Sequence, residues 1–154
     1  MINFKNGKKF FVISDDLTGS NGVSGMMAKY CNTITFNMEK IFSRDVINAD
    51  FDCATINTQT RMRNEMESYK ISLKIKNFFK KHNIKFGKRI DSTLRGNIEK
   101  EILPFSNDNV LIFTDTIPEY GRYTENGYTT MGDKKLSIVE KFQEIEALPI
   151  NLKD

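Results

Sequence analysis

The chain has 154 residues, 39% of them hydrophobic and 28% charged, with a formal net charge of +3, which suits one compact domain with a real core and excludes a disordered or fibrous chain. The mild lysine excess is too small to argue for nucleic acid, and the isolated Cys31 and Cys53 show neither zinc-ligand nor disulfide-scaffold spacing. Neither a signal peptide's apolar core nor a run of membrane-spanning length is present, so a soluble protein of the reducing cytoplasm, with no membrane partner, is the expectation.

Phe10 to Ile13 is a short apolar run that empties into Ser14-Asp15-Asp16, the pattern of a buried strand feeding a polar loop. Thr18 to Gly22 supplies turn and cap residues, and Val23, Met26, Met27 and Tyr30 then recur at helical spacing. Thr33 to Phe36 predicts a second strand, Asn37 to Phe51 a variable connection, and Cys53 to Ile56 a third strand leading into Asn57-Thr58-Gln59-Thr60-Arg61. Asn64, with Glu67 three residues on, resembles a capping box for a long helix reaching about His82. Its apolar face is Met66, Tyr69 and Leu73 with Ile71, Ile75, Phe78 and Phe79, and its lysines form the wet face.

Phe86 to Ile90 reads as a further strand and Asp91 to Gly96 as its exit loop, with Asn97 capping a short helix that carries Ile98, Ile102 and Leu103 and stops at Pro104. Val110 to Phe113 is the most hydrophobic strand candidate of all. A polar, glycine-containing stretch follows from Thr114 to Gly127. The tail is expected to hold a hairpin around Gly132-Asp133 and a helix from Ser137 to about Ala147, ended by Pro149. Strands alternating with helices predict a single α/β domain over residues 1–154, a three-layer α/β/α sandwich around a mainly parallel, Rossmann-like sheet.

In such sheets ligands bind where loops from several strand ends converge. Four strand exits carry the chemistry here: Asp15 to Gly19, Thr58 to Arg61, Asp91 to Asn97, and Pro118 to Arg122. Asp15 and Asp16 read equally as helix-cap residues and as a pair that accepts a hydroxyl proton and orients the hydroxyl, the work of a sugar-phosphorylating site. Asp91, Ser92, Thr93, Leu94 and Arg95 pack two hydroxyls and a guanidinium into one short loop, a good receptor for a carboxylate. Arg61, and Arg122 beside Gly121, read as surface arginines taken alone and as further clamps if the crevice gathers them. His82 is a solvated helix-end residue on which no catalytic triad can be built. The lysines from Lys74 to Arg89 suggest nucleic acid with Phe78, Phe79 and Phe86 as stacking partners, but core packing explains those rings better. Neither G-x-G-x-x-G nor G-x-x-x-x-G-K-[ST] occurs, so nucleotide binding has no support in this chain, and no metal site is indicated.

Four segments, Ile13 to Asn21, Thr58 to Arg61, Lys88 to Ile98, and Pro118 to Arg122 with Gly127, resemble the four-carbon acid sugar kinase family in order and spacing. The resemblance runs from about Phe10 to Leu136 and corresponds to that family's N-terminal, substrate-binding domain. It implies a kinase that phosphorylates threonate or erythronate, in which this half holds the acid while a separate nucleotide-binding domain, in cis or in trans, brings ATP and magnesium. Asp16 with Asp15 would then handle the hydroxyl end, Arg61 and the Asp91 to Arg95 loop would grip carboxylate and hydroxyls, and Arg122 would lie near the interdomain cleft. Gly22 and Gln59 replace acidic residues usual in the family, and Thr114-Asp115-Thr116 replaces its usual Ala-Pro-Ala. No nucleotide-binding domain follows Asp154, so the isolated chain is expected to be inactive, as a truncated piece, one half of a split enzyme or a remnant. A stand-alone small-carboxylate-binding or regulatory module is the alternative, and a homo-oligomer is compatible with either.

Overall fold

The computed structural model describes residues 9–106 and 110–148. Strands β1 (Phe10–Ser14), β2 (Thr33–Asn37), β3 (Cys53–Asn57) and β4 (Lys85–Arg89) form a parallel sheet in the spatial order β2-β3-β1-β4. Helix α1 (Leu17–Met27) covers one face, and α2 (Arg44–Asn48), α3 (Glu65–His82) and α4 (Ile98–Ser106) the other. The α/β sandwich expected from the alternation of elements is therefore present. Ser14 lies level with Asn57 on one side and Arg89 on the other, and Asn37 is level with Asn57, so the strands end on one line.

The two faces of the sheet are chemically unlike. Strand residues alternate between faces. Phe11, Ile13, Ala54 and Ile56 join Ile75 and Phe79 of α3, Val46 of α2 and Phe105 of α4 in the main core. Edge and tilted ring contacts run through it, from Phe11 to Phe79 (5.4 Å), Phe79 to Phe86 (5.2 Å) and Phe86 to Phe105 (4.9 Å). Under α1 the chemistry is small and hydroxylic: Gly19 and Ser20 are buried, Ser24 Oγ donates to Thr33 Oγ1 (3.1 Å), and the Thr35 and Thr55 hydroxyls meet at 2.8 Å. Small side chains let α1 lie close to the sheet, which leaves Met26 and Tyr30 exposed rather than forming its buried face.

Helix α3 opens as its sequence predicts, with Asn64 Oδ1 accepting from the Glu67 amide (2.9 Å). Its fully buried stripe is Ser68, Ser72, Ile75 and Phe79, and Met66 points to solvent. Phe78 and Phe79 pack as core and His82 stacks on Phe78 (4.6 Å), with the lysines outside. Helix α4 does not stop at Pro104 but runs to Ser106, since a proline one turn from the end forfeits only one ladder bond. The connection from Asn37 to Phe51 holds a short 3-10 turn, Met38–Lys40, before α2.

Beyond α4 the structure departs from expectation twice. Val110 to Phe113 is not a strand: it hydrogen-bonds to no sheet among the described residues, and Val110 and Ile112 are each 95% exposed. Strands β5 (Arg122–Glu125), β6 (Tyr128–Met131) and β7 (Lys134–Ser137) form an antiparallel meander, so the expected hairpin at Gly132-Asp133 is present and a second precedes it at Asn126-Gly127. Both of those turn residues have positive φ, as a type I′ turn requires. The expected helix from Ser137 to Ala147 does not form. Ser137 is held in β7, Ile138 donates its amide to Gly127 O (2.8 Å), and the amides of Gln143 and Glu144 are taken by the Glu99 carboxylate (2.5 Å each) instead of a helical ladder. Only the 3-10 turn Val139–Lys141 remains helical, and Pro149 lies outside the described residues.

Candidate functional site

The loops leaving β1, β3 and β4 meet at the carboxyl edge of the sheet. Asp16 is the N-cap of α1, its Oδ1 accepting from the Gly19 amide (2.8 Å), and this turns Oδ2 toward the β3 loop. There Arg61 donates through Nε to Asp15 Oδ2 (2.7 Å), through Nη2 to Asp15 Oδ1 (3.1 Å) and through Nη1 to Asp16 Oδ2 (2.5 Å). Asp91 Oδ1, from the β4 loop, lies 3.3 Å from the same guanidinium. One arginine thus joins three loops and brings Asp15, Asp16, Arg61 and Asp91 together.

Asp91 organises its own loop. Its carboxylate accepts from Arg95 Nε (2.8 Å) and Nη2 (2.9 Å), from the Thr93 hydroxyl (2.5 Å) and from the amides of Thr93 and Arg95. Burial disfavours the charged carboxylate, yet the bonds from Arg95 and Thr93 outweigh it and hold Asp91 well below the usual carboxylate range. Burial likewise acts against the Arg61 cation, and the hydrogen bond and charge of Asp15, with Asp16 and Asp91 beyond, more than reverse it. Leu94 turns its side chain away from the cleft into a small apolar cluster with Ile98 and Ile138, so it anchors the loop and has only backbone to offer a ligand. Gln59 and Leu94 both have φ near +55°, a conformation costly for side-chain-bearing residues and held here on two loops of the same site. Gly96, at φ +83°, passes close to the Arg61 backbone, and Asn97, which stands directly ahead of α4 with its carbonyl accepting from the Glu101 amide (2.9 Å), donates through its side chain to Thr60 O (3.0 Å), Arg63 O (2.8 Å) and Ser68 Oγ (3.0 Å), locking the two loops together.

A cavity of about 340 Å³ opens beside this network. Gly19 and Gly22 of α1 form one wall, Arg89 and Ser92 a second, and Thr116 and Arg122 a third. Arg89 was missed by sequence reasoning because it was placed inside a strand, where its side chain carried no signal. It ends β4, its Nη1 is 3.4 Å from both Asp15 Oδ1 and Asp16 Oδ1, and those long contacts leave it the least committed guanidinium of the cluster. Its position depends on Gly19, where an added Cβ would lie 2.5 Å from Arg89 Nη1. Arg122 is brought to the cavity, but its Nε donates to Asp115 O (2.9 Å) and lies 3.4 Å from Asp115 Oδ1. Burial raises the Asp115 carboxyl above its ordinary range against the opposing charge of Arg122. Gly121, at φ +62°, closes the 3-10 turn Pro118–Tyr120 and does not line the cavity.

The hollow offers the Arg89 guanidinium to an anion, with Ser92, Asp115 and Thr116 on its walls, while Asp15, Asp16, Arg61 and Asp91 stand behind Arg89 and do not line it. Among the described residues no group of three or more His, Cys, Asp or Glu side chains is placed to hold a metal ion, and no helix is long and apolar enough to cross a membrane.

A family model described as a sugar-binding N-terminal domain matches residues 10–147. The 3-oxo-tetronate kinase of Actinobacillus succinogenes is 25% identical over 134 residues, which are 82% of this chain and 32% of that protein. The D-erythronate kinase of Heliobacterium modesticaldum is 32% identical over 128 residues, 76% of this chain and 28% of that one. A Bordetella bronchiseptica protein, crystallised with bound citrate as a domain-swapped dimer, superposes with a TM-score of 0.71 at 21% identity over 86% of this chain and 35% of that one, a likeness of fold. The chain spans about a third of the length of the curated kinases it matches.

Proposed function

The chain belongs to the sugar-binding N-terminal domain family of the four-carbon acid sugar kinases, and from that premise we propose that it is the acid-holding half of an ATP-dependent kinase acting in the cytoplasm on a four-carbon sugar acid of the threonate or erythronate type. The observation that carries this reading is the meeting of Asp15, Asp16, Arg61 and Asp91 from three strand ends in one ion-pair network, with Arg89 joining that network to the wall of the adjoining cavity. A carboxylate guest fits against Arg89, with Ser92 and Arg122 on the remaining walls. Asp16, whose side chain is 23% exposed beside the buried Asp15, takes the proton of the hydroxyl to be phosphorylated, and Asp15 holds Arg61 against it. Arg61 acts differently from a ligand clamp: every arm of its fork is engaged by aspartate, so it fixes the two carboxylates rather than the substrate. Arg95 supports the cleft in the same way through Asp91.

The aspartate oxygens that could attract magnesium are largely taken by arginine, which supports placing ATP and its metal on a nucleotide-binding partner, covalently continuous or separate. On this reading the chain binds acid but does not turn it over alone. The citrate of the Bordetella neighbour is a small hydroxy-carboxylate, the kind of molecule such a cleft would take.

The test is a thermal-shift panel of threonate, erythronate and their 3-oxo forms. At about 100 times the dissociation constant a matching acid adds about 2.7 kcal/mol to stability and raises the melting temperature by several degrees. Arg89→Met should abolish the shift while leaving the protein folded. A panel with no shift for any acid, or full ATP-dependent turnover by this chain alone, would overturn the proposal.

A further inference from the structure

Val110 to Phe113 sits beside the sheet without joining it. The outer edge of β4 has no ladder partner among the described residues, and an open strand edge of unpaired amides and carbonyls accepts another strand readily. Between that edge and the segment lies a trough of about 560 Å³, walled by Phe86, Gly87 and Lys88 of β4, by Ile102 and Phe105 of α4, and by residues 110–114 themselves. The segment already has a strand's period of two: Phe113 is half-covered and contacts the Phe142 ring at 5.8 Å, whereas Val110 and Ile112 are bare. Lys88, on the trough wall, is paired at 2.5 Å with Glu101, and both side chains are buried, so a strand laid along this edge would meet an ion pair already withdrawn from water. The order β4, α4, apolar run is that of a βαβ unit with its last strand undocked.

We propose that Val110–Phe113 is a strap that docks on β4 as a fifth parallel strand, and that the docked state is the one that holds ligand in the neighbouring cavity. The strap continues directly into Thr114, Asp115 and Thr116, which line that cavity with Arg89. Docking draws this wall toward Arg89, and a ligand bridging the two walls favours the docked state by its additional contacts there. The link to ligand rests on the sugar-acid reading above; the docking itself does not.

Hydrogen exchange on the full chain tests both, with wild type, Ile112→Asp and Ile112→Val compared free and with saturating erythronate. Ile112 touches solvent in the undocked form, so Ile112→Asp keeps the melting temperature of the free protein. Expected in wild type and Ile112→Val is at least a tenfold slowing of amides in 111–114 and 86–88 when acid binds, and in Ile112→Asp at least a tenfold weaker affinity with no slowing. Acid binding with equal affinity in all three proteins and unchanged exchange overturns the strap while sparing the site. If no acid binds wild type, the site reading fails, and the strap is judged in the free protein: faster exchange of 86–88 in Ile112→Asp than in wild type supports docking, and equal exchange overturns it. Protection that appears only with a concentration-dependent dimer shows strand exchange between copies and overturns the intrachain form.

Discussion

The parallel sheet and the antiparallel meander draw on different amounts of apolar burial. Ten buried side chains close the core of the first, from Phe11 and Ile13 to Phe79 and Phe105. The cluster beneath the second has three, Leu94, Ile98 and Ile138, and two of these belong to the β4 loop and α4. The meander therefore leans on the main domain and supplies little core of its own. What this teaches about the site is a division of labour. Asp15, Asp16, Arg61 and Asp91 hang from stiff strand ends, while Asp115 and Arg122 belong to the compliant wall, able to adjust to what lies between them.

The comparison breaks most visibly if the two regions prove equally important to stability. Phe79→Ala, at the centre of the main core, is expected to cost about 3–5 kcal/mol in urea unfolding; a cost under about 1 kcal/mol would refute the assignment of the dominant core. An intermediate effect concerns the loop network. With its folded-state pKa depressed below the ordinary value near 4, Asp91 contributes stability that is present above that pH and is lost as pH falls through and below it. Asp91→Asn should lower stability at neutral pH by about 2 kcal/mol, the scale of hydrogen bonds to a charged group, and flatten the loss between pH 5 and 3, read by melting temperature across that range. The smallest effect is expected at Ile138→Ala, which loosens the meander and raises its amide exchange while moving the main unfolding transition by less than about 0.5 kcal/mol, because local openings there cost little already.

The sequence was readable wherever one element's own pattern decided its structure. The apolar runs of β1 and β3, and the Asn64 cap three residues ahead of Glu67, act locally, and the structure has them where periodicity put them. The convergence of Asp15, Arg61 and Asp91 followed from parallel topology, since strand ends of one sheet must share an edge. What failed depended on distant partners. The tail's helical pattern gave way to backbone bonds with Glu99, more than forty residues away, and the strand pattern of Val110 to Phe113 found no ladder. Met66 and Met26 looked like core by spacing, but serines and a glycine occupy the closest contacts because the backbones approach tightly there. Arg89 is hidden by its place in a strand, and only the register that sets it level with Ser14 puts it at the carboxyl edge of the sheet. The Asn126-Gly127 turn was legible and overlooked: an Asn-Gly pair between alternating residues is a strong hairpin signal.

Gly19 gives the cleft a tuning point that carries no charge. Its missing methyl is the space in which the end of the Arg89 side chain rests, and an alanine Cβ there would also lie 2.7 Å from Asp16 Oδ1, the oxygen that caps α1. Helix propensity favours the change, while the guanidinium and the capping carboxylate would both have to give way. A protein engineer wishing to reshape the hollow would begin at this position.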